Sequence, residues 1–147
     1  MARFIAGLES RRALDEQRCG GKAAALCRLK ALGFEVPPGF VIFPVLLSPI
    51  VERCRKADGP PPKRFETLHG RLLAAPIPGR QNKRLLAAYR SLGGRVAVRS
   101  SLVGEDGARD SYAGQLDTVL NVEGESEYLQ AVRRVLASQY SPRLARY

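Results

Sequence analysis

Two short segments of this 147-residue sequence combine residue types that bind phosphate groups. The first is Gly20-Gly21-Lys22, at the start of an apolar pattern that predicts a helix over residues 22–32. Glycines let a backbone approach a phosphate closely, the first amides of a helix favour an anion, and lysine adds a mobile positive charge. The segment lacks the full GxxxxGK(S/T) pattern of a phosphate-binding loop. A solvated lysine at a flexible helix start is therefore the alternative interpretation.

The second segment is Arg99-Ser100-Ser101, which follows an apolar run and precedes a polar stretch that contains glycine. A buried strand would present Arg99 at its end, where the planar guanidinium can donate two hydrogen bonds to one phosphate. The two serines add hydroxyl and backbone donors. The residues alone leave a second interpretation open, in which the strand leads into a hydrophilic turn and Arg99 pairs with Glu105 or Asp106.

The elements that would position these segments are helices interleaved with short strands, which predicts an α/β or α+β domain. The helix after Gly21 has Ala25, Leu26, Leu29 and Leu32 as its predicted inward face, and Gly33 is expected as its left-handed C-cap. Further helices are predicted over 46–57, 65–75, 83–92 and 126–136, and strands over 40–43, 95–99 and 114–122. The last of these helices has Leu129, Val132, Val135 and Leu136 as its predicted inward face. We expect one partial nucleotide-binding domain over residues 1–147, with its helices on a small mixed sheet and a proline-rich linker at 58–62.

Composition limits the classes of partner. The chain has 24 basic and 14 acidic residues, but it has no dense lysine–arginine run and only 7% aromatic residues, so nucleic acid is disfavoured. No apolar run is long enough to cross a membrane. The three cysteines and the single histidine, His69, show no metal-binding spacing, and we expect a reduced, cytoplasmic protein without a catalytic histidine.

Five sequence blocks occur in order along the chain: GGKAA, GFEVPPGFVI, VAVRSS, SYAGQLDTVLNV and AVRRVLASQYS. Together they resemble the nucleotide-binding domain of the phosphoenolpyruvate synthase and pyruvate phosphate dikinase family. The resemblance implies an ATP-grasp-like fold and transfer of a phosphoryl group from ATP to a histidine on a separate domain. It also implies that Lys22 and Arg99 contact the ATP phosphates, and that Ser100 and Ser101 belong to the same binding edge.

The resemblance further implies a phosphate-loop region over residues 99–115. Within it, the loop from 105 to 115 would lie over the phosphates and end at Gly114 and Gln115. Val103 departs from the family pattern, because a hydroxyl residue is usual there. We expect the loop from 103 to 113 to be mobile without nucleotide, since it carries glycines and three acidic residues with little apolar material.

The length departs from the family as well. The sequence ends where the family domain continues into a second subdomain, which would supply the ligands of Mg²⁺, and we therefore expect the chain alone to bind ATP but to be inactive. The C-terminal catalytic domains would lie on another segment. Self-association is expected through an apolar surface formed by Leu136, Tyr140, Leu144 and Tyr147. The alternative function is a non-catalytic protein that keeps this fold and binds or regulates a partner.

Overall fold

The fold is that of a computed structural model, which describes residues 4–55, 61–102 and 117–141. The chain divides into two compact units, and each is built from two stretches of sequence. These are Met1–Val45 with Ser101–Ala113, and Leu46–Ser100 with Gly114–Tyr147. Helices and strands mix along the sequence, which confirms the α+β class. The described strands form two separate antiparallel pairs, where the sequence led us to expect one small mixed sheet.

The first unit contains a strand pair and two consecutive helices. Strand β1 (Ile5–Gly7) pairs antiparallel with β2 (Phe40–Ile42), so the strand predicted after the paired prolines is present. A 3₁₀ turn at Arg11–Leu14 precedes the one-turn helix α1 (Glu16–Cys19), which leads directly into α2 (Gly21–Ala31). The helix predicted after the glycine pair is therefore present with nearly the expected bounds.

The buried face of α2 is not the one that the sequence predicts. Its buried residues are small: Ala23, Ala24 and Cys27. They join the core of the first unit with Ala6, Leu8, Ala13, Cys19, Val41 and Phe43. The predicted inward face, formed by Ala25, Leu26, Leu29 and Leu32, is exposed, and 74% of the surface of Leu32 is accessible. A helix on the surface of a unit buries one side only, and here the side with small residues meets the core while the leucines lie on the other side.

The C-terminal end of α2 confirms the predicted role of Gly33. Its φ is +86°, in the region that favours glycine. The Gly33 N–H donates to the carbonyl of Lys30 at 3.1 Å, and the Phe34 N–H donates to the carbonyl of Leu29 at 3.1 Å. These two bonds satisfy carbonyls at the end of the helix and form a Schellman cap.

The second unit contains four helices and a strand pair among the described residues. They are α3 (Ser48–Arg55), α4 (Pro61–Ala74), α5 (Gly79–Leu92), β3 (Val96–Arg99), β4 (Thr118–Val122) and α6 (Glu125–Ser138). Two of these helices begin four residues earlier than the sequence predicts, α4 at Pro61 instead of 65 and α5 at Gly79 instead of 83. Residues 61 and 62 of the expected linker are therefore helical, because the fixed φ of proline suits the first turn of a helix.

Helix α6 provides much of the core of the second unit. Its predicted inward residues Val132, Val135 and Leu136 are buried, and Leu129 is partly buried. The burial of Leu136 corrects its expected place on an exposed C-terminal surface: only 5% of its surface is accessible. Tyr140 is partly buried, and residues 144 and 147 lie outside the described residues. Self-association stays a prediction.

A tyrosine pair joins α5 to α6. The rings of Tyr89 and Tyr128 stack with centroids 4.6 Å apart and planes 14° apart. The hydroxyl of Tyr89 also accepts a hydrogen bond from the Gly124 N–H at 2.8 Å, which fixes the turn between β4 and α6. Within the described ranges, no helix is both long and apolar enough to span a bilayer.

Candidate functional site

Lys22 lies just after the junction between helices α1 and α2. Asp15 caps α1 by accepting from the Gln17 N–H at 3.1 Å, and Gly20 closes α1 by donating to the Glu16 carbonyl at 2.9 Å. Gly20 is also the residue from which α2 starts, with φ +79° and ψ 164°. Lys22 is consequently the second residue of α2, and it is partly buried.

The first amides of α2 have partners within the protein. A helix leaves its first N–H groups without intrahelical acceptors. Here the Ala23 N–H donates to Ser101 Oγ at 3.0 Å, and the Gly21 N–H donates to the Leu102 carbonyl at 3.2 Å. All of these residues belong to the first unit. The expectation that helix amides would be open to an anion is therefore not met at Gly21 and Ala23.

The segment formed by Ser101 and Leu102 lies against Gly20. A Cβ atom on Gly20 would be 2.4 Å from the carbonyl carbon and oxygen of Ser101 and 2.6 Å from Ser101 Oγ. No side chain fits in this space. Glycine is therefore needed at position 20 because the backbone of Ser101 lies too close to leave room for a side chain. The structure brings the Gly20-Gly21-Lys22 segment and Ser101 together in the first unit.

Arg99 and Ser100 belong to the second unit and have different surroundings. Strand β3 pairs antiparallel with β4, and Arg99 lies opposite Thr118. Because side chains alternate along a strand, Val96 and Val98 are partly buried while Arg99 is exposed at the strand end. Ser100 is buried, with 4% of its surface accessible. Arg99 thus lies exposed at the end of a short strand, as the sequence predicts. The strand itself is not buried as predicted, because its four residues alternate between partly buried and exposed.

Most of the rest of the predicted phosphate-loop region lies outside the described residues. Gly114 and Gln115 lie outside the described residues, and so does the loop from 103 to 113 with Glu105, Asp106 and Arg109. The expected mobility of this loop and the alternative pairing of Arg99 with its carboxylates both stay predictions.

The described cysteines and the histidine show no sign of a reactive site. Cys19 and Cys27 are buried as free thiols, and Cys19 Sγ donates to the Ala13 carbonyl at 3.2 Å. Burial raises the pKa of both thiols, which disfavours the thiolate form that a nucleophile needs. His69 is partly buried on α4. Nowhere in residues 4–55, 61–102 and 117–141 do three or more acidic, histidine or cysteine side chains come together as metal ligands.

Comparison with known proteins identifies the family. The family model described as pyruvate phosphate dikinase, AMP/ATP-binding domain, matches residues 62–147, which is more than half of the chain. The chain belongs to this family. The match confirms the resemblance seen in the sequence blocks. It includes Arg99, Ser100 and Ser101 of this pyruvate phosphate dikinase-type domain, but it begins after Lys22.

Curated relatives extend the similarity to nearly the whole domain. The chain is 33% identical to the phosphoenolpyruvate synthase of Aeropyrum pernix, with 87% of this chain and 18% of that protein covered. It is 33% identical to the prodigiosin synthesizing transferase PigC of Serratia marcescens (98% and 16% covered). It is 32% identical to the rifampicin phosphotransferase of a Streptomyces species (99% and 19% covered). The chain thus spans less than a fifth of the length of each of these three proteins.

The comparisons also cover the start of α2. A match to the probable phosphoenolpyruvate synthase of Methanothermobacter thermautotrophicus, at 30% identity, covers 100% of this chain and 25% of that protein. Lys22 therefore lies within the region of similarity to full-length relatives. The capping of α2 by Ser101 has no signal in the local sequence, because the two bonded residues are 78 positions apart.

Proposed function

We propose that this chain binds ATP through its phosphates, as the N-terminal portion of the nucleotide-binding domain of a phosphotransferase of this family. One observation carries the proposal beyond family membership. Two segments that the sequence resemblance assigns to phosphate binding, Gly20-Gly21-Lys22 and the end of VAVRSS, are hydrogen-bonded to each other in the first unit. Such an arrangement of distant segments supports a common role.

The proposal assigns the main contacts to Lys22 and Arg99. The ammonium of Lys22 supplies a compact positive charge, and the guanidinium of Arg99 can donate two parallel hydrogen bonds. Ser100, Ser101, Gly114 and Gln115 belong to the proposed site through the family resemblance. A charge-assisted hydrogen bond contributes on the order of 1.5–3 kcal/mol, so each cation is expected to change ATP affinity by roughly ten-fold to a hundred-fold.

An NMR titration with ATP, with and without Mg²⁺, tests these contacts. We expect millimolar binding by the wild-type chain, a loss of at least ten-fold in Lys22→Ala or Arg99→Ala, and no measurable binding by the double variant. Two controls each remove one positive charge elsewhere: Lys30→Ala at the other end of α2, and Arg95→Ala just before β3. Both controls should bind like the wild type. Equal losses in the variants and the controls would show that only net charge matters.

We also propose that catalysis needs parts of the family protein beyond this chain, whether they belong to the same polypeptide or to another one. Support comes from the length of the relatives, since this chain spans less than a fifth of the two proteins that match it at 33% identity. Phosphoryl transfer depends on metal ions that neutralise charge between the β- and γ-phosphates. The proposed compartment is the cytoplasm, where the thiols of Cys19 and Cys27 would stay reduced.

Incubation of the chain with radiolabelled ATP and Mg²⁺ tests its incompleteness. We expect no acid-labile phosphate on the protein, because His69 lies on α4 with no family phosphohistidine motif around it. His69→Ala serves as the matched control and should give the same background signal. Labelling of the wild-type chain that disappears in His69→Ala would contradict the proposal.

A further inference from the structure

The hydroxyl of Ser101 has a specific place at the start of α2. Gly20 occupies the N-cap position and offers no side chain to the first helical amides. Serine, threonine, aspartate and asparagine normally supply this acceptor from the N-cap residue itself. In this chain the acceptor is Ser101 Oγ, 3.0 Å from the Ala23 nitrogen and 78 positions away in sequence. Ser101 thus provides from a distance the cap that the helix lacks locally.

This cap holds the backbone on both sides of Lys22. The residue before it, Gly21, donates its N–H to the Leu102 carbonyl at 3.2 Å. The residue after it, Ala23, donates its N–H to Ser101 Oγ at 3.0 Å. The absence of a side chain at Gly20 allows the backbone of Ser101 to lie against the turn. The direction in which Lys22 leaves the helix is therefore set by the segment formed by Ser101 and Leu102.

We infer that Ser101 is a positioning residue, which sets the phosphate affinity of Lys22 by capping α2. The inference rests on the proposed function and deepens it, because it gives Ser101 a role distinct from direct contact with phosphate. An ammonium on a flexible stem loses conformational freedom when it binds, and a fixed starting point for the stem reduces that loss. Loss of the cap should therefore weaken ATP binding only while Lys22 is present.

A double-variant cycle followed by NMR tests this role. Ser101→Ala should weaken ATP binding about five-fold to ten-fold, and Ser101→Thr, which keeps the hydroxyl, should bind within about two-fold of the wild type. In the Lys22→Ala background, Ser101→Ala should cause no further loss. The matched control is Ser138→Ala in the second unit, where a serine oxygen also accepts a backbone N–H, from Asp117 at 3.4 Å. This control should leave ATP affinity unchanged.

Hydrogen exchange of the Ala23 amide gives a second readout that needs no ATP. We expect protection in the wild type and in Ser101→Thr, and faster exchange in Ser101→Ala. If Ser101→Ala does not fold, Ser101→Cys replaces it with the same expectations, because a thiol keeps the volume but accepts hydrogen bonds weakly.

The outcomes separate this inference from the proposed function. Wild-type ATP binding with no change in Ser101→Ala overturns the positioning role and leaves the function intact. An equal, additive loss in the Lys22→Ala background overturns it too, because Ser101 would then be a direct phosphate ligand. An absence of ATP binding by the wild type overturns the proposed function, and the inference that rests on it fails with it. The positioning role is supported if Ser101→Ala weakens ATP binding only when Lys22 is present and Ser101→Thr restores the binding.

Discussion

Replacement of Gly20 by alanine should lower the free energy of unfolding by about 2–4 kcal/mol. Two costs combine at this position. The φ of +79° is unfavourable for any residue with a Cβ atom. The added Cβ would also lie 2.4 Å from the backbone of Ser101, which cannot yield as a flexible side chain could, and whose neighbour Leu102 is hydrogen-bonded to Gly21. Urea denaturation of the wild type and the variant measures the loss.

The matched control for this prediction is Gly124→Ala. Gly124 has nearly the same backbone conformation, with φ +88° and ψ 152°, and it is also the N-cap residue of a helix, but a Cβ atom there would have no neighbour within 4 Å. Only the conformational cost of about 1–2 kcal/mol should appear. The difference between the two variants isolates the effect of the close approach. If both variants lose the same stability, the segment formed by Ser101 and Leu102 does not lie against Gly20 in solution.

Replacement of Leu85 by alanine should destabilise the second unit by about 2–5 kcal/mol. The Leu85 side chain on α5 is fully buried, so the substitution removes apolar contacts and leaves a cavity. Thermal or urea unfolding followed by circular dichroism would show the change as an earlier transition.

The same substitution on the outer face of α2 provides the comparison. Leu32→Ala removes the same atoms from a side chain that is 74% exposed, and it should change stability by no more than about 0.5 kcal/mol. A loss at Leu32 comparable with the loss at Leu85 would mean that something covers this leucine face in solution. That result would contradict the burial pattern of the first unit.

The sequence predicts elements well where periodicity and stop signals agree. Helix α6 has apolar residues at helical spacing, and the structure buries the predicted Val132, Val135 and Leu136. Gly33 ends α2 as expected, because a glycine after the last helical turn can adopt the left-handed conformation that a C-cap needs. Such local rules depend on a few adjacent residues, and these are all visible in the sequence.

The inward face of α2 could not be predicted in the same way. Two apolar faces compete on this helix, one of leucines and one formed by Ala23, Ala24 and Cys27. Hydrophobicity favours the leucines, but the core of the first unit contains the smaller residues. The side of a helix that meets the core depends on the shape of the surrounding elements, which no local pattern encodes.

The sequence predicts the segments of the candidate site, but it does not predict the hydrogen bond that joins two of them. The residue types around Lys22 and Arg99 indicate phosphate chemistry, and those assignments stay proposals. The cap that Ser101 places on α2 depends on a contact between residues 78 positions apart. A serine that accepts a distant backbone amide has the same local sequence as a serine in any polar turn.

The division of the first unit into two stretches of sequence affects how it folds during synthesis. Ribosomes add about 5–20 residues per second, so Ser101 leaves the ribosome roughly 4–16 s after Ala23, its hydrogen-bonding partner. During that interval the first turn of α2 lacks this cap, while most of the second unit up to β3 is being made. The core formed by β1, β2 and α2 can collapse early, but its last hydrogen bonds close a long loop. The N-terminal unit is therefore the first to be synthesised and yet must wait for later sequence to become complete.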